Sequence, residues 1–523
     1  MRNKWCLALG FACLSLALLG CSTSPMSVNK VPPEIESTAR NLEHALRQKG
    51  YEVGRGYFRL YQQSDCQESY DVMKSCFGNN PAAPYILPTV TFWSDEYVDP
   101  ATLNALGPTT NGYSSTFRFD PREAIVILAQ LPPPAAYFGL QTYEFTHQGT
   151  YSTTSGPYLY LAPYGQSILD IFFAHVPQNP NRIEMLASLG NSINDVVIER
   201  QSGQAFDQIR YFIITPDELT NEAVRDALQT LQIDNNDIFT EPIPSTTESG
   251  IKIGLNKAAD DFITVIRYAE PEDGGDAGTP SATWRNDLPM VVLRVRYNHT
   301  NPTPIPYGPV TLDNRTAWDE TQLKPQLNEL VSLTSAAWGQ ACSGPNCPIQ
   351  AWNLQPSPVD LVGPDCTQIG MDCLADTQDT IYEFTPRLPL DEGEVYALVG
   401  PLSTETNNAT YESVGVNNSK LTEGVGEVSD KLLSGTALEF ASQVPDADKF
   451  FVYYFTRDCS GLKTYTNGNC FSVSTDMIPA CTGDPTTCAR LELSLRAYIR
   501  PDTERGPDAA KILPADVIPL KRP

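Results

Sequence analysis

Four histidines, His44, His147, His175 and His299, are the only imidazole bases in this 523-residue chain, and that scarcity bounds its chemistry. A serine or cysteine nucleophile needs a base beside it and a third group to orient that base. The hydrolase elbow G-x-S-x-G is absent: "YGQSILD" around Ser167 and "LGNSIND" around Ser192 lack the second glycine. A Ser-His site assembled by folding from His147 or His175 stays open. Glycoside hydrolysis asks only for two carboxylates at a set separation, and among 62 acids a pair such as Glu144 and Asp170 carries little information. No phosphate loop, dinucleotide fingerprint or H-E-x-x-H occurs, and the acidic loops "DNNDIF" and "EPEDGGDAG" miss the calcium-loop alternation. These residue types point to no catalytic residue, no cofactor and no metal.

What does stand out is aromatic density from residue 137 to 173, beginning with Tyr137, Phe138, Tyr143 and Phe145. Rings give large contact area with a polar handle, and rings that line a pocket hold sugars or alkyl chains. The same residues also serve as ordinary strand and core positions. As a ligand-binding set, Tyr137, Phe138, Tyr143 and Phe145 are the candidates.

The elements that must position them start at the N-terminus. Arg2 and Lys4 precede an apolar run to Leu19, too short and wrongly flanked for a stable span, which reads as a secretory leader over residues 1–20. Leu18, Leu19, Gly20 and Cys21 resemble the lipobox of bacterial lipoproteins, in which the cysteine is acylated and becomes the first mature residue. Buried acyl methylenes contribute about 0.8 kcal/mol each, enough for two or three chains to hold a soluble body on a membrane. By the rule of that family, Ser22 favours the outer membrane; the periplasmic face of the inner membrane is the other location.

The thirteen cysteines then resolve. Cys6 and Cys13 leave with the leader and Cys21 carries lipid. The remainder is even, as a disulfide framework in an oxidising compartment requires. Proximity suggests Cys66 with Cys76, Cys342 with Cys347, Cys366 with Cys373, Cys459 with Cys470, and Cys481 with Cys488, each stabilising by roughly 2–3 kcal/mol. Zinc is disfavoured because there is no C-x-x-C and histidine is scarce. A formal charge of −26 argues against nucleic acid as a partner.

Residues 21–33 read as the lipidated cysteine and a tether. A helix is expected from Glu34, with Ile35, Ala39, Leu42 and Leu46 at helical spacing before Gly50. Strands are expected at 57–61, 89–93, 124–131 and 137–145. "IRYFIITPDELTNEAVRDALQTLQI" reads as a strand feeding a helix, with Thr215 as N-cap and Pro216 and Glu218 in its first turn. Further strands are expected at 262–269, 290–298, 395–400 and 450–459, and a helix over "ETQLKPQLNELVSLTSAAWGQA". The fold class expected is α+β, with mixed sheets and flanking helices in two domains. "EPIPSTTESG" (241–250) is taken as the boundary between an N-terminal domain at 34–240 and a disulfide-rich C-terminal domain at 251–505, with 506–523 a weakly ordered tail. No fixed-period repeat is evident.

Two blocks carry a resemblance: "LPPPAAYFGLQTYEFT…RIEMLASLGNSINDVVI" with "YFIITPDELTNEAVRDAL", and "EVYALVGPLSTETNNATYESVGV…LLSGTALEF…FFVYYFTRDC". Together they resemble a family of secreted or lipid-anchored proteins of undefined activity, and within it the lipoproteins of alkane uptake in marine hydrocarbon-degrading bacteria. The resemblance transfers no active-site residue. It implies a non-catalytic envelope lipoprotein that assists binding or uptake of an apolar compound, an alkane or a lipid, together with an outer-membrane transporter. The other expectation is a secreted cell-surface hydrolase acting on an ester or a glycan.

Overall fold

The computed structural model describes residues 29–344, 346–353, 363–484 and 487–523. Cys21 and the leader lie outside them, and no helix among the described residues is long and apolar enough to cross a membrane. Helices and four sheets make an α+β chain, as expected.

The four sheets form two pairs of the same design. In the first unit an outer sheet runs in the order Tyr51–Arg55, Met290–Tyr297, Glu123–Gln130, Ile209–Thr215 and Ile238–Pro242, antiparallel until its last, parallel pair. An inner, antiparallel sheet orders Tyr57–Leu60, Ile86–Thr91, Asp261–Pro271, Ala135–Gln148, Asn179–Ser188 and His175–Val176. The second unit repeats the outer pattern with Ile349–Gln350, Asp516–Lys521, Glu394–Pro401, Phe450–Thr456 and Cys470–Ser472, again with the last pair parallel. Its inner sheet orders Trp352–Asn353, Thr380–Phe384, Leu491–Tyr498, Tyr411–Asn418 and Glu423–Ser429. Apart from His175–Val176, which has no counterpart in the second unit, these strands match in chain order and pairing, so the chain is a tandem repeat of one topology. The repeat that sequence periodicity did not reveal is present in the hydrogen bonds.

Each unit is closed by the same alternation of side chains. In Glu123–Gln130, Ile125, Ile127 and Ala129 face the inner sheet, where they meet Phe138, Leu140, Phe262 and Ile266. Ala124, Val126 and Leu128 point the other way, onto the helices Pro33–Gln48 and Glu218–Thr230. In the second unit Leu398, Phe451 and Phe455 face Val414, Leu493 and Leu495, while Val395, Ala397 and Val452 meet the helix Lys324–Ala337 through Leu327, Leu330 and Val331. Strands buried on both faces read as unbroken apolar runs, as "AIVILA" and "FFVYYF" do.

The helix Pro33–Gln48 buries Ile35, Ala39, Leu42 and Leu46 as its spacing predicts, and Gly50 follows at φ +91°. The cap of Glu218–Thr230 differs from expectation. Asp217 accepts from the backbone N–H groups of Leu219 and Thr220, whereas Thr215 still belongs to the strand and donates its hydroxyl to the Glu123 carbonyl.

Two boundaries also move. Residues 241–250 connect strands within the first unit, because Asp261–Pro271 and Met290–Tyr297 hydrogen-bond in the middle of its two sheets. The change of unit falls after Tyr297. The expected tail contains Asp516–Lys521, which lies between two strands of the outer sheet and buries Val517, Ile518 and Leu520. All five disulfides pair as expected: Cys66–Cys76, Cys342–Cys347, Cys366–Cys373, Cys459–Cys470 and Cys481–Cys488.

Candidate functional site

The inner sheets turn their second faces toward one another, and this contact makes the site. In Asp261–Pro271, Phe262, Thr264, Ile266 and Tyr268 take one side and Ile263, Val265, Arg267 and Ala269 take the other. In Leu491–Tyr498 the apolar Leu491, Leu493 and Leu495 fill the second unit's interior, which leaves Glu492, Arg496 and Tyr498 toward the first unit.

At one end the two faces touch. The Tyr137 and Tyr498 rings lie 4.4 Å apart and Tyr411 stacks on Tyr498 at 5.4 Å. The Tyr137 hydroxyl donates to Asp379 at 2.9 Å. A clasp from the second unit extends the edge of the first. The N–H of Cys373 donates to the Met185 carbonyl (2.7 Å), that of Ala375 to Leu186 (3.0 Å), and Asp376 receives the N–H and hydroxyl of Ser188. The Cys366–Cys373 disulfide fixes the start of the clasp. Gly424 allows a further close approach, since a Cβ there would fall 1.8 Å from the Asn79 carbonyl oxygen.

Between these contacts the faces part around a cavity of about 1100 Å³. Its walls are aromatic and aliphatic, with Phe77, Tyr85, Phe173 and Leu186 from the first unit and Tyr382 and Phe384 from the second. Several charged groups also face it. Arg267, 5% exposed, sits with its guanidinium 5.2 Å from the ring centre of Tyr85 and 5.6 Å from that of Tyr143. Arg496 donates to the Gly78 carbonyl at 2.8 Å through one terminal nitrogen, and the other has no hydrogen-bond partner. On the wall formed by Asn179–Ser188, burial pushes the Glu184 carboxyl well above its ordinary range, and the nearby Asp372 charge adds to the effect. Burial likewise raises Asp372 to about 7, against a hydrogen bond from the Leu374 N–H that lowers it.

The structure separates the four aromatic candidates. Tyr137 is on the cavity wall. Phe138 points into the sandwich of the first unit, as alternation along the strand requires. Tyr143 and Phe145 are fully buried in a layer with Phe77 and Tyr85, and of the two only Tyr143 reaches Arg267. Arg267, Glu184, Asp372 and Tyr498 escaped the sequence reading. One signal existed, a lone cation inside the apolar strand "FITVIRYA".

The histidines do not assemble a nucleophile. Nδ1 of His147 lies 2.8 Å from a Glu144 oxygen and 3.2 Å from Asp260, and the Lys252 ammonium is 3.1 Å from Nε2. Burial opposes protonation of this ring, yet the hydrogen bonds and charges of Asp260 and Glu144 outweigh it and raise its pKa to about 9. Glu144, His147 and Asp260 could in principle surround a cation, but the positive charge a metal would bring is already supplied by the ring and Lys252. Thr367 donates to Glu144 at 2.7 Å and so ties this cluster to the second unit. His175 meets the Arg182 carbonyl and packs on Tyr151, while His44 and His299 are exposed. Ser192 donates to Gln141 at 2.7 Å and lies 3.0 Å from the Thr377 hydroxyl, and the Ser167 side chain lies outside the described residues. Asp170 faces the cavity far from any partnership with Glu144, its oxygen taken by Gln166.

No family model matches the chain, and no curated protein matches it. A solved structure of an uncharacterized protein from Burkholderia cenocepacia aligns over 93% of this chain and 87% of its own, at 10% identity and a TM-score of 0.36.

Proposed function

We propose that the chain is a non-catalytic envelope protein that holds an apolar compound, an alkane or a lipid, between its two units and passes it to an outer-membrane transporter. The observation that carries the binding part is the cavity of about 1100 Å³ walled by aromatic and aliphatic side chains. Pockets that enclose most of an apolar ligand have volumes of about 300–1,000 Å³. The anchor rests on Leu18–Cys21 and the transporter on the resemblance of the two sequence blocks. Native mass spectrometry of the protein offered hexadecane, fatty acids and phospholipids tests the reading: a retained ligand, lost when Leu186 and Phe384 are replaced by Asn, is the expected result. Replacing Cys21 by Ala should abolish labelling by radioactive palmitate.

A hydrolase using two carboxylates is the second reading, favoured by Glu184 and Asp372 facing one cavity with raised affinity for protons. Turnover of a glycan or ester that stops in the Glu184→Gln variant would replace the first reading.

A further inference from the structure

Charge in the cavity is distributed against the trend of the whole molecule. The chain carries 36 Lys and Arg against 62 Asp and Glu, yet six cations line the cavity and only four acids do. Two of those acids, Glu184 and Asp372, are the buried pair on one wall. A cationic concavity with low-dielectric walls focuses potential and selects anions.

Arg267 is the centre of this inversion. Buried arginines elsewhere in the first unit are paired: Arg118 and Arg182 with Asp261, and Arg294 with Glu96 and Glu123. Among the described residues no carboxylate lies within ion-pair distance of Arg267, and its neighbours are phenols, the Tyr143 hydroxyl among them, although it is 95% buried and faces the cavity between Tyr85 and Tyr143. Ring faces offset part of the lost hydration of a guanidinium but satisfy none of its five N–H donors. A buried charge without a counter-charge is costly, so its retention in a ligand-sized cavity points to an anion that completes it.

We infer that the cavity binds a long-chain carboxylate, with the carboxylate held by the Arg267 fork and the alkyl chain along the Phe77, Leu186 and Phe384 walls. This rests on the reading of the cavity as a binding site for apolar compounds and narrows it to anionic amphiphiles. A planar guanidinium engages a carboxylate in a two-point contact, and a carboxylate brings one charge into the cavity to match it, where a phosphate monoester at pH 8 brings about two. The Tyr382 and Tyr498 rings border the same space from the second unit, so ligand and head-group site would span both halves.

The test compares hexadecanoate, hexadecanol and hexadecane on the full protein at pH 8 by isothermal calorimetry, with hexadecyl phosphate as a fourth ligand. We expect hexadecanoate to bind at least tenfold more tightly than hexadecanol or hexadecyl phosphate, and Arg267→Met to remove that preference by weakening hexadecanoate. Equal affinity for acid and alcohol in the unaltered protein overturns the carboxylate assignment and leaves an apolar cavity standing. So does a preference for the phosphate. A carboxylate preference that survives in Arg267→Met overturns the role of Arg267. Failure of all four ligands to bind overturns both the assignment and the reading beneath it. Should Arg267→Met not fold, Arg267→Gln, which keeps donors but removes the charge, is expected to lose the preference in the same way.

Discussion

Two kinds of sheet-to-sheet contact coexist in this chain. Inside each unit the sheets meet through aliphatic and aromatic side chains such as Ile127, Leu140 and Phe262, or Leu398, Val416 and Leu493. Between the units the contact is made by Tyr137, Arg267, Asp376, Arg496 and Tyr498, with hydrogen bonds, unpaired charge and open volume. One duplicated topology therefore supplies two dry interiors for stability and, where the copies face each other, one polar layer free to specialise. Strand Asp261–Pro271 performs both tasks, one on each face.

The largest expected effect should fall on the dry side. Phe262→Ala removes a fully buried ring that packs 5.3 Å from Phe119, and should cost about 3–5 kcal/mol in urea unfolding. If the loss is below 1 kcal/mol, the two layers are not energetically distinct. Between the units, His147→Gln should cost up to about 3 kcal/mol near pH 6. The folded-state pKa of His147 is raised from 6.5 to about 9, so its contribution is complete below pH 6.5 and is lost as pH rises through 9. The stability gap between protein and variant, followed by thermal melting from pH 6 to 10, should close accordingly. The opposite sign of mutational effect is expected for Asp372→Asn. Its pKa is also raised, from 3.8 to about 7, but here ionisation destabilises the fold as pH rises. The variant should be more stable than the unaltered protein by up to about 4 kcal/mol at pH 8, and the gap should close as pH falls below about 4. Smallest of all, Ser192→Ala removes a hydroxyl bonded across the units and should cost about 1 kcal/mol in the same assay.

What sequence made legible follows from how local each feature is. The disulfides pair cysteines separated by 5 to 11 positions, so proximity along the chain was enough. The helix Pro33–Gln48 carries its own period. The unit boundary was hidden because a Pro, Ser and Thr-rich stretch such as 241–250 has the composition of any exposed connection, within a domain or between two. Asp516–Lys521 was misread because Pro519 and the Asp516 and Lys521 ends mask three buried apolar residues, and its partners lie more than a hundred positions away. The two units share a strand order while their residues and loop lengths differ, so no fixed period is evident in the sequence. Arg267 shows in the sequence only as a lone cation in an apolar strand; its lack of a counter-charge is a property of what faces it from the second unit.

The place of the last-made strand in each unit bears on how the protein is synthesised. Met290–Tyr297 lies between Tyr51–Arg55 and Glu123–Gln130, and Asp516–Lys521 lies between Ile349–Gln350 and Glu394–Pro401. An incomplete polypeptide, whether on the ribosome or crossing a membrane, therefore holds each outer sheet split, with strand edges open, until the final segment of that half is free to pair. Such late closure by distant segments slows folding and lengthens exposure to aggregation. A product released after Leu513 through premature termination would lack a strand from inside a sheet, and cellular quality control would meet an unfinished half rather than a shortened tail.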